Sequence, residues 1–181
     1  RGEVKLGHHV AVVGVGGLGA IAVQIAKISG AKVIAVDLTE ERLQMAKDLG
    51  ADFAVNARNE DVAGTIRQIS DGLGADIVIE NVGLPQSVQQ SLDSVRRGGR
   101  VVIVGYGPEP FAADPQKIAL EELEIMGSRA CTKQELSEVL KLMGEGKIKA
   151  VITRKFSLSE ANQALELLER GEILGRAVLV P

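Results

Sequence analysis

The feature that most restricts the fold is a repeated alternation of short, almost wholly apolar runs with helix-length segments. Val10-Ala-Val-Val13, Val33-Ile-Ala-Val36 and Asp76-Ile-Val-Ile79 lack the polar–apolar alternation of a half-exposed strand, and read as parallel strands buried on both faces. Between the first two, Ala20 to Ile28 carries Ile21, Ile25 and Ile28 at helical spacing, and Gly30 follows as a stop. A second helix is predicted after Thr39 as N-cap, with Leu38 and Leu43 spaced as a hydrophobic staple, ending at Gly50. Phe53 to Val55 reads as a third strand and Val62 to Ser70 as a helix. A helix near Gln86 to Arg97, a Gly98-Gly99 stop and a strand from Arg100 to Val104 follow. Glu124 to Met126 supplies a sixth strand after a loop holding Pro108, Pro110 and Pro115. Such alternation predicts an α/β fold, a doubly wound parallel sheet of about six strands with right-handed crossovers.

From about residue 130 the rhythm changes. Thr132-Lys-Gln-Glu135 and Ser157-Leu-Ser-Glu160 are capping boxes, each ahead of an amphipathic helix, with Val151-Ile152 and Ala177 to Val180 as short extended pieces. Two helices and two strands are too little for a core of their own. Residues 130–181 are therefore expected to be a small C-terminal α/β appendage on a domain formed by residues 1–129.

Composition narrows the partners. The 181 residues are 45% apolar and 25% charged with a net charge of −3, which favours neither nucleic acid nor an anionic membrane as partner. Aromatic residues make up 2%, too few for base-stacking platforms. Cys131 is the single cysteine, so neither a disulfide framework nor a cysteine-rich zinc site can form within one chain, and a reducing, cytoplasmic compartment is expected. No run of about 18 apolar residues marks a membrane span. The opening Arg1-Gly2-Glu3 reads as the interior of a longer protein.

Gly14-Val-Gly-Gly-Leu-Gly19 has the spacing G-x-G-x-x-G between a buried strand and a helix. In that context Gly14 permits a tight turn, Gly16 lets a pyrophosphate approach the backbone, and Gly19 allows helix and strand to pack closely. The amides and the positive end of the helix then face the phosphates. The second strand ends in Asp37, eighteen positions after Gly19, where a carboxylate accepts the hydroxyls of an adenosine ribose. It repels a 2′-phosphate by about 4 kcal/mol per pair of unit charges at 4 Å and an effective dielectric near 20. NAD is therefore expected over NADP, with Arg42 offsetting part of the repulsion.

These residues, together with Ala22-Val-Gln-Ile-Ala-Lys27, Lys47-Asp-Leu-Gly-Ala-Asp52, Gly74 to Glu80, Gly98 to Gly105 and Gly175-Arg-Ala-Val-Leu-Val180, resemble the coenzyme-binding domain of the medium-chain, zinc-type alcohol dehydrogenases, a Rossmann-type fold. The resemblance runs in order over nearly the whole chain. It implies that Gly17 and Leu18 amides and the Arg176 guanidinium face the pyrophosphate, and that Asp37 and Arg42 hold the adenosine ribose. It also implies that Asn81, Val82 and Gly83 receive the nicotinamide ribose. It sets Val104, Gly105 and Tyr106 after the fifth strand and implies that main-chain groups around Val104, Ser128 and Ala130 orient the carboxamide, although Ser128 to Cys131 departs from the glycine-richer family pattern. The family's reaction is hydride transfer between NAD and an alcohol, giving an aldehyde or ketone. Its zinc ligands, proton relay and most of the substrate pocket belong to an N-terminal domain, expected to be missing here, to which the resemblance implies that residues 130–181 belong structurally, so this chain alone is expected to be inactive. The family also implies a homodimer through the edge strand Glu124 to Met126. Two alternatives stand beside this reading: an NAD-sensing module without chemistry, and the coenzyme domain of a zinc-free, NADPH-dependent quinone or enoyl reductase.

The remaining conspicuous residues have plain readings. His8 and His9 point to opposite sides of an extended chain and suit a loop before a strand better than a metal. Cys131 reads as a small packed residue and Tyr106 as a packing or hydrogen-bonding residue. Glu40-Glu41 and Glu121-Glu122 read as solvated helix starts.

Overall fold

The computed structural model describes residues 1–181. Six strands form one parallel sheet: β1 His9–Val13, β2 Lys32–Asp37, β3 Phe53–Asn56, β4 Ala75–Glu80, β5 Val95–Ile103 and β6 Glu124–Gly127, in the order β3-β2-β1-β4-β5-β6. The connecting helices are α1 Gly19–Ile28, α2 Glu40–Asp48, α3 Val62–Ile69, α4 Pro85–Ser94 and α5 Pro115–Leu120. Alternate residues of each strand face opposite sides, so two cores form. Val10, Val12, Val33 and Ala35 pack with Val23, Ala26, Leu43 and Ala46 on one face. Ala11, Val13, Ile34 and Val36 pack with Val62, Ile66, Val88 and Leu92 on the other. Because the chain leaves β1 toward β2 and later returns to β4 on β1's other side, a crevice opens at the carboxyl ends of β1 and β4, where sheets of this kind receive ligands.

Beyond the sheet lie α6 Lys133–Gly144, β7 Ile152–Ser157, a 3₁₀ turn Leu158–Glu160, α7 Ala161–Glu169 and β8 Arg176–Val180. β7 and β8 pair in parallel as a separate two-stranded sheet. Neither α6 nor α7 has a buried residue, and only Ile148, Phe156 and Ile173 are buried in this whole region. The lobe is held by the larger unit instead. Gln24 on α1 is buried; its amide donates to the Ala20 and Lys149 carbonyls at 3.0 Å and accepts from the Lys149 amide at 2.9 Å. Val151 and Leu174 pack against the first core. No helix is long and apolar enough to cross a membrane.

Several local expectations are corrected. The helix expected to reach Arg97 stops at Ser94, and β5 begins at Val95. Pairing shifts from Ala75↔Val95 to Ile77↔Arg100, so Gly98-Gly99 form a bulge within the strand, with the Gly98 amide bonded to the Glu121 carbonyl at 2.7 Å. The proline-bearing loop contains α5, started by Pro115 at its first position and by Asp114, whose carboxylate accepts from the Gln116 amide. Glu121-Glu122 follow that helix's last turn and do not start a helix. Thr39 occupies the N-cap position without a side-chain cap bond, and Leu38 is exposed, so no staple forms. Cys131 is exposed rather than packed. Tyr106 is 84% exposed and makes no hydrogen bond. Both capping boxes form as expected, Glu135 returning to the Thr132 amide at 2.7 Å and Glu160 to the Ser157 amide at 2.7 Å.

Candidate functional site

The turn after β1 builds the site. Gly14 has φ +81° and would drive a Cβ to 2.6 Å from Cγ2 of Val82, so only glycine closes this turn. A Cβ on Gly19 would overlap the Gly14 carbonyl, which lets the first residue of α1 sit directly on the turn. Gly16, by contrast, has nothing within 4 Å of where its Cβ would stand, and its backbone faces open space. Gly17 lies under the Arg176 side chain, whose Cδ would be 2.6 Å from an added Cβ. The amides of Gly17 and Leu18, ahead of α1, have no acceptor within the protein. Free amides, the positive end of α1 and a guanidinium thus converge on one spot, the arrangement that binds phosphate oxygens.

Asp37 ends β2 next to this turn. Its side chain is 4% exposed. Oδ2 accepts the Val15 amide at 2.8 Å and Oδ1 accepts the Leu38 amide at 2.8 Å, so the carboxylate is held in one orientation. Arg42 Nη1 lies 3.7 Å from Oδ1, while Nη2 donates to the Gly171 carbonyl at 3.1 Å. Arg42 is therefore shared between the carboxylate and the C-terminal lobe.

A cavity of about 450 Å³ runs along these groups, within the usual range for cofactor clefts. Of the residues expected from sequence, Gly14, Gly16, Gly17, Leu18, Gly19, Asp37, Arg42, Asn81, Val82 and Arg176 line it together. Arg176 starts β8, 139 positions beyond Asp37, and reaches the cleft only because the lobe docks across α1. Gly83, Val104, Gly105, Tyr106, Ser128 and Ala130 are not in its wall. They lie on the loops after β4, β5 and β6. Val104 and Gly105 amides donate to the Glu80 carbonyl at 2.8 and 3.0 Å, Ser128's to that of Ile103 at 2.9 Å, and Ala130 has φ +54°.

The cavity wall also includes residues that sequence reasoning missed. Leu38 and Ala57 stand on the β2–β3 side; Leu84, Gln86, Ser87 and Gln90 stand on the side of α4. Position was the available signal: Ala57 directly follows β3, and the α4 residues follow the fourth strand. Glu80, wholly buried at the end of β4, was also overlooked. The chain's donor set does not fit a metal: no three His, Cys, Asp or Glu residues come together.

Residues 17–145 match the family model described as zinc-binding dehydrogenase. The chain belongs to the zinc-binding dehydrogenase family. It is 38% identical over 175 residues to an alcohol dehydrogenase of Geobacillus stearothermophilus, covering 97% of this chain and 51% of that protein. It is 37% identical over 167 residues to an NAD-dependent alcohol dehydrogenase of Sulfurisphaera tokodaii, covering 92% of this chain and 48% of the relative. The crystal structure of the alcohol dehydrogenase from the archaeon Aeropyrum pernix superposes with a TM-score of 0.92 at 39% identity, covering 99% of this chain and 52% of that one. This zinc-binding dehydrogenase chain thus spans about half the length of the curated relatives it matches.

Proposed function

We propose that residues 1–129 form the coenzyme domain of an NAD(H)-dependent alcohol dehydrogenase and that residues 130–181 complete its phosphate site. The carrying observation is the pairing of Asp37, fixed by the Val15 and Leu38 amides, with the open glycine turn under Arg176. A dinucleotide fits this donor set. Asp37 accepts the two adenosine ribose hydroxyls, each charged hydrogen bond contributing about 1.5–3 kcal/mol. Gly16 leaves room for the pyrophosphate, the Gly17 and Leu18 amides donate to it, and Arg176 neutralises it. Asn81, whose Nδ2 is tied to the Val13 and Ile79 carbonyls, and Val82 lie toward the nicotinamide side. Gly83, Val104, Gly105, Tyr106, Ser128 and Ala130 border the continuation of that path.

A bound nicotinamide takes up or gives a hydride at C4. This chain's residues bind and orient it. The zinc-binding groups and the alcohol, aldehyde or ketone pocket of the whole protein lie outside these residues, and this chain alone does not turn over substrate. The edge strand β6, with Glu124 and Ile125 exposed, is the surface for a homodimer.

Calorimetric titration with NADH and NADPH tests the reading. NADH binding, with NADPH at least tenfold weaker, is the expected outcome. Tighter NADPH binding would reassign the chain to the NADPH-linked reductases, and binding of neither would refute the coenzyme role.

A further inference from the structure

The loops after β4 and β5 hang from a single residue. Glu80 pairs with Val13 of β1 and Ile103 of β5 and is 0% exposed. Its Oε1 accepts the Val82 amide at 2.9 Å and the Ser87 hydroxyl at 2.8 Å. The Gly83 amide donates to both carboxylate oxygens, at 3.0 and 2.9 Å. The Glu80 main-chain carbonyl accepts the amides of Val104 and Gly105. The residues at the equivalent ends of β1 and β5, Val13 and Ile103, are apolar, and an apolar side chain would fill the same place without the cost of burying a carboxylate. What it could not do is gather two successive amides. With them held, the chain bends back at Asn81–Gly83, Gly83 adopts φ +77°, and its Cα stands against Gly105 so closely that a Cβ there would be 2.5 Å from the Gly105 carbonyl carbon. The same bend presses Val82 against the Gly14 turn.

We infer that Glu80 is a positioning residue for the nicotinamide half of the bound dinucleotide. The inference rests on the coenzyme reading above. Asp37 and the glycine turn lie on β2 and β1, so a dinucleotide with its adenosine ribose at Asp37 and its pyrophosphate at Gly16–Gly17 must continue over β4 and β5. There it meets main chain whose place is set by Glu80, which makes no contact with the ligand itself. Of the groups that Glu80 holds, only Val82 and Ser87 line the cleft; Gly83, Val104 and Gly105 are not in its wall.

The test compares NADH with ADP, which carries only the adenosine and pyrophosphate. In Glu80→Gln the amide nitrogen faces the Gly83 N–H, a donor from which it cannot accept. The expected result is an NADH Kd raised about tenfold or more, with the ADP Kd within about twofold of wild type, which also certifies a folded site. Glu80→Asp keeps the charge but draws the carboxylate back by one methylene from the Gly83 amide, and serves if Glu80→Gln does not fold; it should show the same split at smaller amplitude. Unchanged NADH binding in Glu80→Gln, or equal losses for NADH and ADP in either variant, would overturn the inference and leave the coenzyme reading intact. Failure of the unsubstituted chain to bind NADH would overturn both.

Discussion

Two glycines of one motif should answer alanine substitution in opposite ways. In Gly19→Ala the new methyl overlaps the Gly14 carbonyl, and its next neighbours are the Gly14 carbonyl carbon at 3.0 Å and Cγ1 of Val12 at 3.5 Å. Backbone cannot rotate aside as a side chain would. Overpacking of this kind costs about 1–3 kcal/mol, offset by at most about 1 kcal/mol of helix propensity at the start of α1. The net loss is about 1–2 kcal/mol, or roughly 2–8 °C in Tm for a chain of this size. Gly16 has no positive φ and nothing within 4 Å, so Gly16→Ala should melt within about 1 °C of wild type. Its methyl instead projects into the space proposed for the pyrophosphate, and NADH affinity should fall at least tenfold. Differential scanning calorimetry and NADH titration on both variants read the contrast. A Gly19→Ala protein that melts like wild type, or a Gly16→Ala protein that binds NADH normally, would refute the argument.

Other expectations follow from the same contacts. Asp37→Ala removes the proposed ribose acceptor and frees the Val15 and Leu38 amides, so NADH binding should weaken at least tenfold and the preference over NADPH should shrink; an unchanged ratio of the two affinities would contradict the assignment. Gln24→Ala leaves the Lys149 amide and carbonyl without their partner, at about 1–3 kcal/mol, and hydrogen exchange should quicken at Lys149 well before it does in β1. Burial pushes the carboxyls of Asp52 and Asp76 up, but their bonds outweigh it. Lys27 and the Val33 amide hold Asp52 below its ordinary value, and Arg96 and the His9 amide do the same for Asp76. A depressed folded-state value contributes stability that is present above the unfolded value, about 3.9, and lost as pH falls through the folded one. Tm should therefore fall below about pH 4 and fall less steeply in Asp76→Asn, as thermal melts across pH would reveal.

Much of the sheet is legible in the sequence because its signals are local. An almost wholly apolar run of four residues is best satisfied between two covered faces, and Val10–Val13, Val33–Val36 and Asp76–Ile79 each lie in a central strand. The glycine turn is legible for the same reason, since the positive φ at Gly14 and the contact of Gly19 with the Gly14 carbonyl arise within a few residues, even though the side chain that packs on Gly14, Val82, lies far along the chain. Misreadings fell where neighbours distant in sequence decide. Gly98-Gly99 carries the composition of a helix stop, yet the pairing of β5 with β4 turned it into a bulge. Thr39 and Leu38 carry a cap-and-staple pattern, but Leu38 borders the cleft instead of folding onto Leu43.

What the sequence determined alone was the alternating α/β pattern, the glycine turn and the acidic end of β2. Each depends on hydrophobic period, glycine sterics or charge along a short stretch. Only the tertiary structure decided that Arg176 lies over Gly17, that Arg42 is divided between Asp37 and Gly171, and that Glu80 carries two loops at once. Those contacts join segments up to 159 residues apart, and no local preference encodes such a meeting; it exists because packing on the sheet brings the segments together.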